Sequence, residues 1–260
     1  LPKREAFGKV LNGQIGPVVA AECTYNTGEL WYKERKAGWT DFEYQLRNWL
    51  YYNWLSGDHI VEQAIHSIDM LQWAMGDVLP VQVTGSGGRQ KRVDKKFGNI
   101  YDHFAVVYEY ENGTKGYFSS RQQSNTAPSY AVELVGLDGK CIVDCRTGEH
   151  SISGKKPWKY DDDTKFTDEN AYKKSNSRSM YQQEHDELFA SIRNNKPKND
   201  GEWMVKSNLV ALAGRMAAYS GQTVTLEAAL ASSEILFPEN VSWDLKYDVP
   251  IAIPGITTNI

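Results

Sequence analysis

FAVVYEYENGTKGYFSSRQ (residues 104–122) and YAVELVGLDGKCIVDC (residues 130–145) decide the fold class of this chain. Residues 104–111 are rich in β-formers, and Asn112-Gly113 offers the two positive-φ residues of a type I′ hairpin turn before residues 114–122 return. The second stretch repeats the arrangement, with residues 130–137 meeting 140–145 across Asp138-Gly139. Consecutive strands joined by tight turns pair antiparallel. Further strands are expected at 16–25, 79–85 and 149–153. Working outward, helices flank this block. The first ten residues read as one. Asp58 caps another whose apolar Ile60, Val61, Ala64, Ile65, Ile68 and Leu71 repeat at helical spacing until Gly76. Residues 178–195 place Tyr181, His185, Leu188, Phe189 and Ile192 on one face, with His185 read as a core histidine. Residues 202–220 form an Ala-rich helix stopped by Gly221, and Thr225 caps a short one to Ala231. Strands in a block between helices argue α+β, an open, mainly antiparallel β-sheet with helices packed on one face, in a single domain spanning 1–260. Residues 155–177 read as a long solvated excursion. The end, with Pro238, Pro250, Pro254 and Gly255, reads as extended coil lying along a surface.

The chain has 260 residues with a formal charge of −4, and its charges are spread, so no basic stripe marks a nucleic-acid partner. No run approaches the 18 or so apolar residues of a membrane helix, and the first residues lack a signal-peptide pattern. Cys141 and Cys145 lie four apart in a strand, a span of roughly 13 Å, too far for a disulfide, so free, mostly buried thiols are expected together with Cys23. The compartment stays open between cytoplasm and export to a bacterial periplasm. G-x-G-x-x-G is absent: Gly85-Ser-Gly87-Gly88-Arg89-Gln90 lacks the third glycine. No Walker-type loop or G-x-S-x-G elbow occurs either.

Chemistry concentrates in residues 58–75. Glu62, His66, Asp69 and Trp73 fall at i, i+4, i+7 and i+11, a stripe on which a carboxylate can hydrogen-bond an imidazole and orient it as a general base. The alternative is a helix face packed against neighbouring backbone. A metal set of His59, Glu62 and His66 has unfavourable helical spacing, and no metal is expected. Between Trp31 and Trp54 nine aromatic side chains lie beside Gln45, Arg47, Asn48 and Asn53, which suits either sugar rings or core mass. Arg89-Gln90 and Arg121-Gln122 end two strands and can project donors into a cleft.

Ile15-Gly16-Pro17-Val18-Val19, residues 56–69 (SGDHIVEQAIHSID), the Gly-Gly-Arg-Gln stretch and Tyr101-Asp102-His103-Phe104 resemble the C-terminal domain of the Gfo/Idh/MocA oxidoreductases. The resemblance runs over most of the chain. It implies an N-terminal Rossmann domain outside this chain that binds NAD or NADP and carries a Lys, so no cofactor-binding residue is expected here. It also implies that residue 1 begins inside a longer protein. The family's Asp-x-x-x-His places His66 as acid/base, with Glu62 where the family has Asp and Asp69 in a structural role. The implied substrate is a sugar, cyclitol or related polyol, and Arg47, Asn48, Trp49, Tyr52, Asp58, His59, Arg89, Tyr101, His103 and Arg121 are the residues expected to hold it. A homo-oligomer, dimer or tetramer, through the open sheet face is implied, and the isolated chain is expected to be inactive. The rival readings are a non-catalytic carbohydrate-binding or assembly module and a glycoside-cleaving relative, NAD-assisted or metal-dependent.

Overall fold

The computed structural model describes residues 2–160, 180–248 and 250–258. Helix α1 (Pro2–Leu11) leads into β1 (Val18–Thr27). A loop with α2 (Asp41–Arg47), a 3₁₀ turn and α3 (Asn53–Ser56) follows, and then α4 (His59–Glu62) and α5 (Ile65–Ala74). The strands β2 (Gln82–Gly88), β3 (His103–Glu109), β4 (Lys115–Gln122), β5 (Ser129–Gly136), β6 (Gly139–Asp144), β7 (His150–Gly154) and β8 (Trp158–Lys159) precede α6 (Met180–Arg193) and α7 (Gly201–Ser220). The short β9 (Val224–Thr225) and α8 (Leu226–Leu230) complete the order. The expected excursion at 155–177 falls mostly outside the described residues.

The strands form one open sheet in the order β8-β7-β6-β5-β1-β4-β3-β2-β9. Every pair is antiparallel except β1 with β4. The α+β expectation therefore holds, and β1 adds what hairpin reasoning could not supply, because it wedges between the two hairpins. Period-two alternation sorts the faces. Ala21, Cys23, Val83, Phe104, Val106, Tyr108, Phe118, Val132, Leu134, Cys141 and Val143 are all buried in one core with α1, α5 and α7. The three cysteines are free, as expected. Helix α7 comes close to the sheet because Gly214 has no side chain: a Cβ there would sit 2.8 Å from the Tyr108 hydroxyl.

Three local expectations are corrected. Neither hairpin turn is type I′. At the first, only Gly113 is left-handed (φ 80°), and Gly113 N donates to Tyr110 O (2.9 Å) while Tyr110 N donates to Thr114 O (3.0 Å). That is a type I turn with a G1 bulge, which needs one left-handed residue instead of two. At the second, Val135 and Lys140 are the last paired residues, and neither Asp138 nor Gly139 is left-handed.

The helix expected over 58–75 is broken: Gln63 leaves helical geometry (φ −123°, ψ −51°) between α4 and α5. Ala64 N donates to His59 O (2.8 Å), a five-residue reach that makes the joint a single wide turn. Finally, the stripe on α6 is not core. Tyr181, Leu188, Phe189 and Ile192 are exposed, and His185 is exposed too, its Nδ1 bonded to the Tyr181 carbonyl (2.7 Å). Among the described residues the fold offers this face no partner.

The C-terminal segment behaves as expected, without helix or strand among its described residues after α8. It is tied down through its carbonyls and rings. Gln45 Nε2 donates to Tyr247 O (2.6 Å), Tyr101 Oη to Ala252 O (2.9 Å), and Gly255 N to Ser220 O (2.7 Å). Phe237, Trp243 and Tyr247 pack against Trp54 and Phe42.

Candidate active site

The expected substrate residues divide by what the fold does with them. Asp58, His59, Tyr101 and Asn48 are fully buried, and their polar atoms are used internally. Asp58 adopts φ 71°, unusual for a residue with a Cβ, and its carboxylate holds the joint of the fold together. Oδ1 accepts from His59 N (2.5 Å), and Oδ2 accepts from Tyr101 N (2.8 Å) and Tyr219 Oη (2.5 Å). The His59 ring lies between Asp58 Oδ1 (3.2 Å) and Tyr101 O (3.1 Å) on one side and Ser120 Oγ (2.9 Å) on the other.

Asp58, His59 and Ser120 thus have the connectivity of a hydrolytic triad. The Ser120 hydroxyl belongs to a residue only 3% exposed, so no substrate carbonyl reaches it. With both ring nitrogens committed, His59 also cannot join Glu62 and His66 around an ion, and no metal-holding cluster occurs among the described residues. Asn48 clamps Lys33 through both backbone groups and caps Tyr44 O. Asp69 behaves as the structural residue the resemblance implied, accepting from Trp203 Nε1 and Ser207 Oγ at 2.6 Å each.

Four of the nine rings in the aromatic segment are core. Tyr51, Trp54, Phe42 and Tyr44 are buried, and Phe42 stacks on Trp54 at 5.9 Å. Trp31 and Trp49 stay open, 47% and 39% exposed with ring centroids 6.4 Å apart. Tyr52 is half-buried, and burial pushes its phenol up to about 12. Arg47 is spent on Glu43 (2.8 Å) and lies over Trp39. Arg89 is spent on the carbonyls of Arg92, Gly98 and Asp94.

His103 and Arg121 are cross-strand neighbours on the open sheet face. The His103 Nδ1 bonds Asp102 Oδ1 (2.7 Å), and Arg121 Nη2 donates to Ala127 O (2.8 Å). The sheet separates this pair from His66. Further along the same face Glu22, Thr84, Ser86, Ala105, Tyr117 and Ser119 line a shallow groove of about 450 Å3.

That leaves the α4–α5 joint. Glu62 is partly buried at the end of α4 and His66 reaches solvent in the first turn of α5. The expected hydrogen bond between them is absent, because the wide turn at Gln63 and Ala64 takes the two residues off the regular i, i+4 spacing. Instead both groups are free: among the described residues neither side chain has a hydrogen-bond partner, and Glu62 Oε2 is buried. Tyr25 of β1 lies across from His66, ring centroids 6.2 Å apart. It was missed in the sequence because it reads as an ordinary alternating strand residue.

Burial pushes the Glu62 carboxyl above its ordinary value against the opposing pull of His59 and Arg92. Partial burial pushes His66 below its ordinary value, with Asp69 opposing and Lys3 reinforcing. An unpaired, half-buried carboxylate costs stability, so Glu62→Gln is expected to raise the melting temperature at neutral pH by an amount worth less than about 1 kcal/mol, after discounting for exposure. The sign follows from linkage: the folded pKa is raised, so the wild-type penalty is absent below the ordinary carboxylate range and appears as pH rises through the folded value. Melting scans at acid and neutral pH check it, since the gain should vanish in acid.

Comparison with known proteins bears on the fold and the family. Residues 8–226 match the family described as "Oxidoreductase family, C-terminal alpha/beta domain" (Gfo/Idh/MocA). No curated protein matches the chain. Among solved structures, the aldose-aldose oxidoreductase from Caulobacter crescentus complexed with glycerol superposes with a TM-score of 0.65 at 18% identity, covering 86% of this chain and 62% of that one. Levoglucosan dehydrogenase, in complex with NADH and levoglucosan, gives 0.62 at 15% identity, covering 86% and 64%. An oxidoreductase from Agrobacterium radiobacter in complex with NAD+, L-tartaric acid and magnesium gives 0.61 at 15% identity, covering 87% and 62%. The chain thus spans less than two thirds of the length of these structures. On the match over residues 8–226, which is most of its length, this chain belongs to the C-terminal alpha/beta domains of the Gfo/Idh/MocA oxidoreductase family.

Proposed function

We propose that this chain is the substrate-binding and oligomerisation domain of an NAD(P)-dependent oxidoreductase that acts on a sugar, cyclitol or related polyol. The observation that carries the reading is the pair at the α4–α5 joint. Glu62 and His66 remain unengaged beside Tyr25, whereas Asp58, His59 and Asn48 are consumed by the scaffold. A neutral imidazole open to solvent can accept the proton of a substrate hydroxyl, and the Asp69 carboxylate, whose charge favours the protonated ring, stabilises the imidazolium that results. Its lowered pKa keeps His66 in the accepting form at neutral pH.

The described residues do not fit a dinucleotide. The one parallel strand pair, β1 with β4, is not a βαβ unit opening on a glycine-rich turn. The nicotinamide that supplies dehydrogenation in this family would therefore be held by a domain outside this chain. The exposed stripe of Tyr181, Leu188, Phe189 and Ile192 on α6 supports a docked neighbour of that kind. Exposed Trp31 and Trp49 would offer ring faces to the C–H side of a sugar. The open sheet face, with its groove around Glu22 and Tyr117, would carry the contact between copies.

The test is the full-length protein mixed with NAD or NADP and a panel of aldoses, cyclitols and polyols, followed by nicotinamide absorbance and by light scattering for the oligomer. A substrate-dependent rise in reduced nicotinamide supports the reading. Ligand bound with the absorbance unchanged would favour a non-catalytic binding module. Sugar cleavage without net reduction would favour the NAD-assisted glycosidase.

A further inference from the structure

Arg92 is the largest of the fully buried side chains among the described residues. It is 1% exposed in the loop between β2 and β3, and its guanidinium lies 4.8 Å from the Tyr51 ring centroid and 5.0 Å from that of Phe97. The loop is built around it. Its backbone N–H donates to Asp102 Oδ2 (2.8 Å), and its carbonyl accepts from Arg89 Nε (2.9 Å) and Nη2 (2.6 Å). Arg89 and Asp102 thus both hold the Arg92 backbone, alongside their bonds to the rest of the loop.

Among the described residues the side chain delivers a single hydrogen bond, Nη1 to Gln122 Oε1, and the Gln122 amide then donates to Gln63 Oε1 (2.7 Å), the residue at which the helix breaks. Nε and Nη2 are buried without a partner. Burying a charge with one hydrogen bond is costly, and the rings of Tyr51 and Phe97 and the carboxylates of Asp58, Asp102 and Glu29 offset that cost only through space. Glu62, one residue before Gln63, has its buried Oε2 likewise without a hydrogen-bond partner among the described residues.

We infer that Arg92 is a positioning residue for the Glu62–His66 site: it sets the α4–α5 joint through Gln122 and Gln63 and supplies the fixed positive charge that favours ionised Glu62. The inference rests on the functional reading above only in calling that site active. The groups facing Glu62 are His59 on its own helix, Arg92 from the β2–β3 loop, Tyr25 from β1 and Tyr51 from the 3₁₀ turn after α2. Among these Arg92 is the only permanent cation, so its removal has a signed consequence, a higher Glu62 pKa.

The test uses this 260-residue chain directly, with carboxyl-carbon NMR titration and the Glu62 resonance assigned as the one lost in Glu62→Gln. Arg92→Met is expected to raise the Glu62 pKa by about one unit. Arg92→Lys, which keeps the charge and a donor to Gln122, restores it. Gln122→Leu leaves the charge and cuts the relay, so it moves the pKa less than Arg92→Met but lowers kcat in the full-length protein.

If Arg92→Met does not fold, Arg92→Lys and Gln122→Leu still decide. A Gln122→Leu pKa shift as large as that expected for Arg92→Met, or a Gln122→Leu kcat equal to wild type, overturns the relay. An Arg92→Met pKa equal to wild type overturns the inference. The functional reading fails separately, through His66: an Arg92-dependent Glu62 pKa with full turnover in His66→Ala keeps this inference and removes the active-site assignment.

Discussion

His66→Ala in the full-length protein is expected to lower kcat by roughly 10²–10⁴-fold, the range over which a positioned acid/base contributes, while KM for the polyol changes little. The split between the two constants is the informative part. His66 has no hydrogen bond to lose among the described residues and reaches solvent, so its truncation neither orphans a buried partner nor opens a sealed core. A fall in kcat therefore reports a lost proton acceptor and not a collapsed fold. The pH profile adds a second check. Burial lowers the His66 pKa and raises that of Glu62, so the two titrations move toward each other. The acid limb of kcat/KM should then lie below the ordinary histidine value of about 6.5, with activity lost as pH falls and His66 takes up a proton. Full turnover in His66→Ala would remove the assignment.

How much of this was legible in the sequence differs between backbone and site. The antiparallel block, its flanking helices and the extended C-terminal segment follow from alternation, turn residues and prolines, which are local signals. The position of β1 was not legible, because pairing of Ala20 with Lys115 and Val135 is a contact across more than ninety residues that no local pattern encodes. The break at Gln63 was hidden for a similar reason. Residues 58–75 are periodic throughout, and what accompanies the break is a tertiary contact, a hydrogen bond from Gln122 on β4 to the Gln63 side chain.

In the site, residue type nominated Glu62 and His66, which the fold leaves without hydrogen-bond partners among the described residues, together with Asp58, His59 and Asn48, whose polar atoms are turned inward. Polar residues flanking a glycine turn look alike whether they face substrate or scaffold. Arg92 was missed because an arginine in a charged loop, Gln90-Lys91-Arg92-Val93-Asp94, ordinarily reads as solvated.

Asp102 is the other residue whose change should be large, this time in stability. Its carboxylate is fully buried and accepts five hydrogen bonds. Oδ2 takes the backbone N–H groups of Gln90 (2.8 Å), Lys91 (2.7 Å) and Arg92 (2.8 Å), and Oδ1 takes His103 Nδ1 (2.7 Å) and Gln123 Nε2 (2.9 Å). Burial alone would raise its pKa. The bonds from His103, from the Arg92 and Lys91 backbone and from Gln123 outweigh that and hold it well below the usual carboxylate range.

Asp102→Ala removes the acceptor and strands three backbone donors, so a loss of about 3–5 kcal/mol is expected in urea unfolding. Asp102→Asn should cost less, since the amide oxygen can still cap the three N–H groups while its NH2 faces the donors of His103 and Gln123. Because the folded pKa is lowered, the wild-type contribution is complete above the ordinary aspartate value of about 3.9 and is lost as pH falls toward the folded value. Stability of Asp102→Asn should therefore fall less steeply in acid than that of the wild type. Equal acid slopes in the two proteins would mean that Asp102 does not hold the loop through its charge. The support beneath Arg92 would then have to come from Arg89 and Gly98 alone.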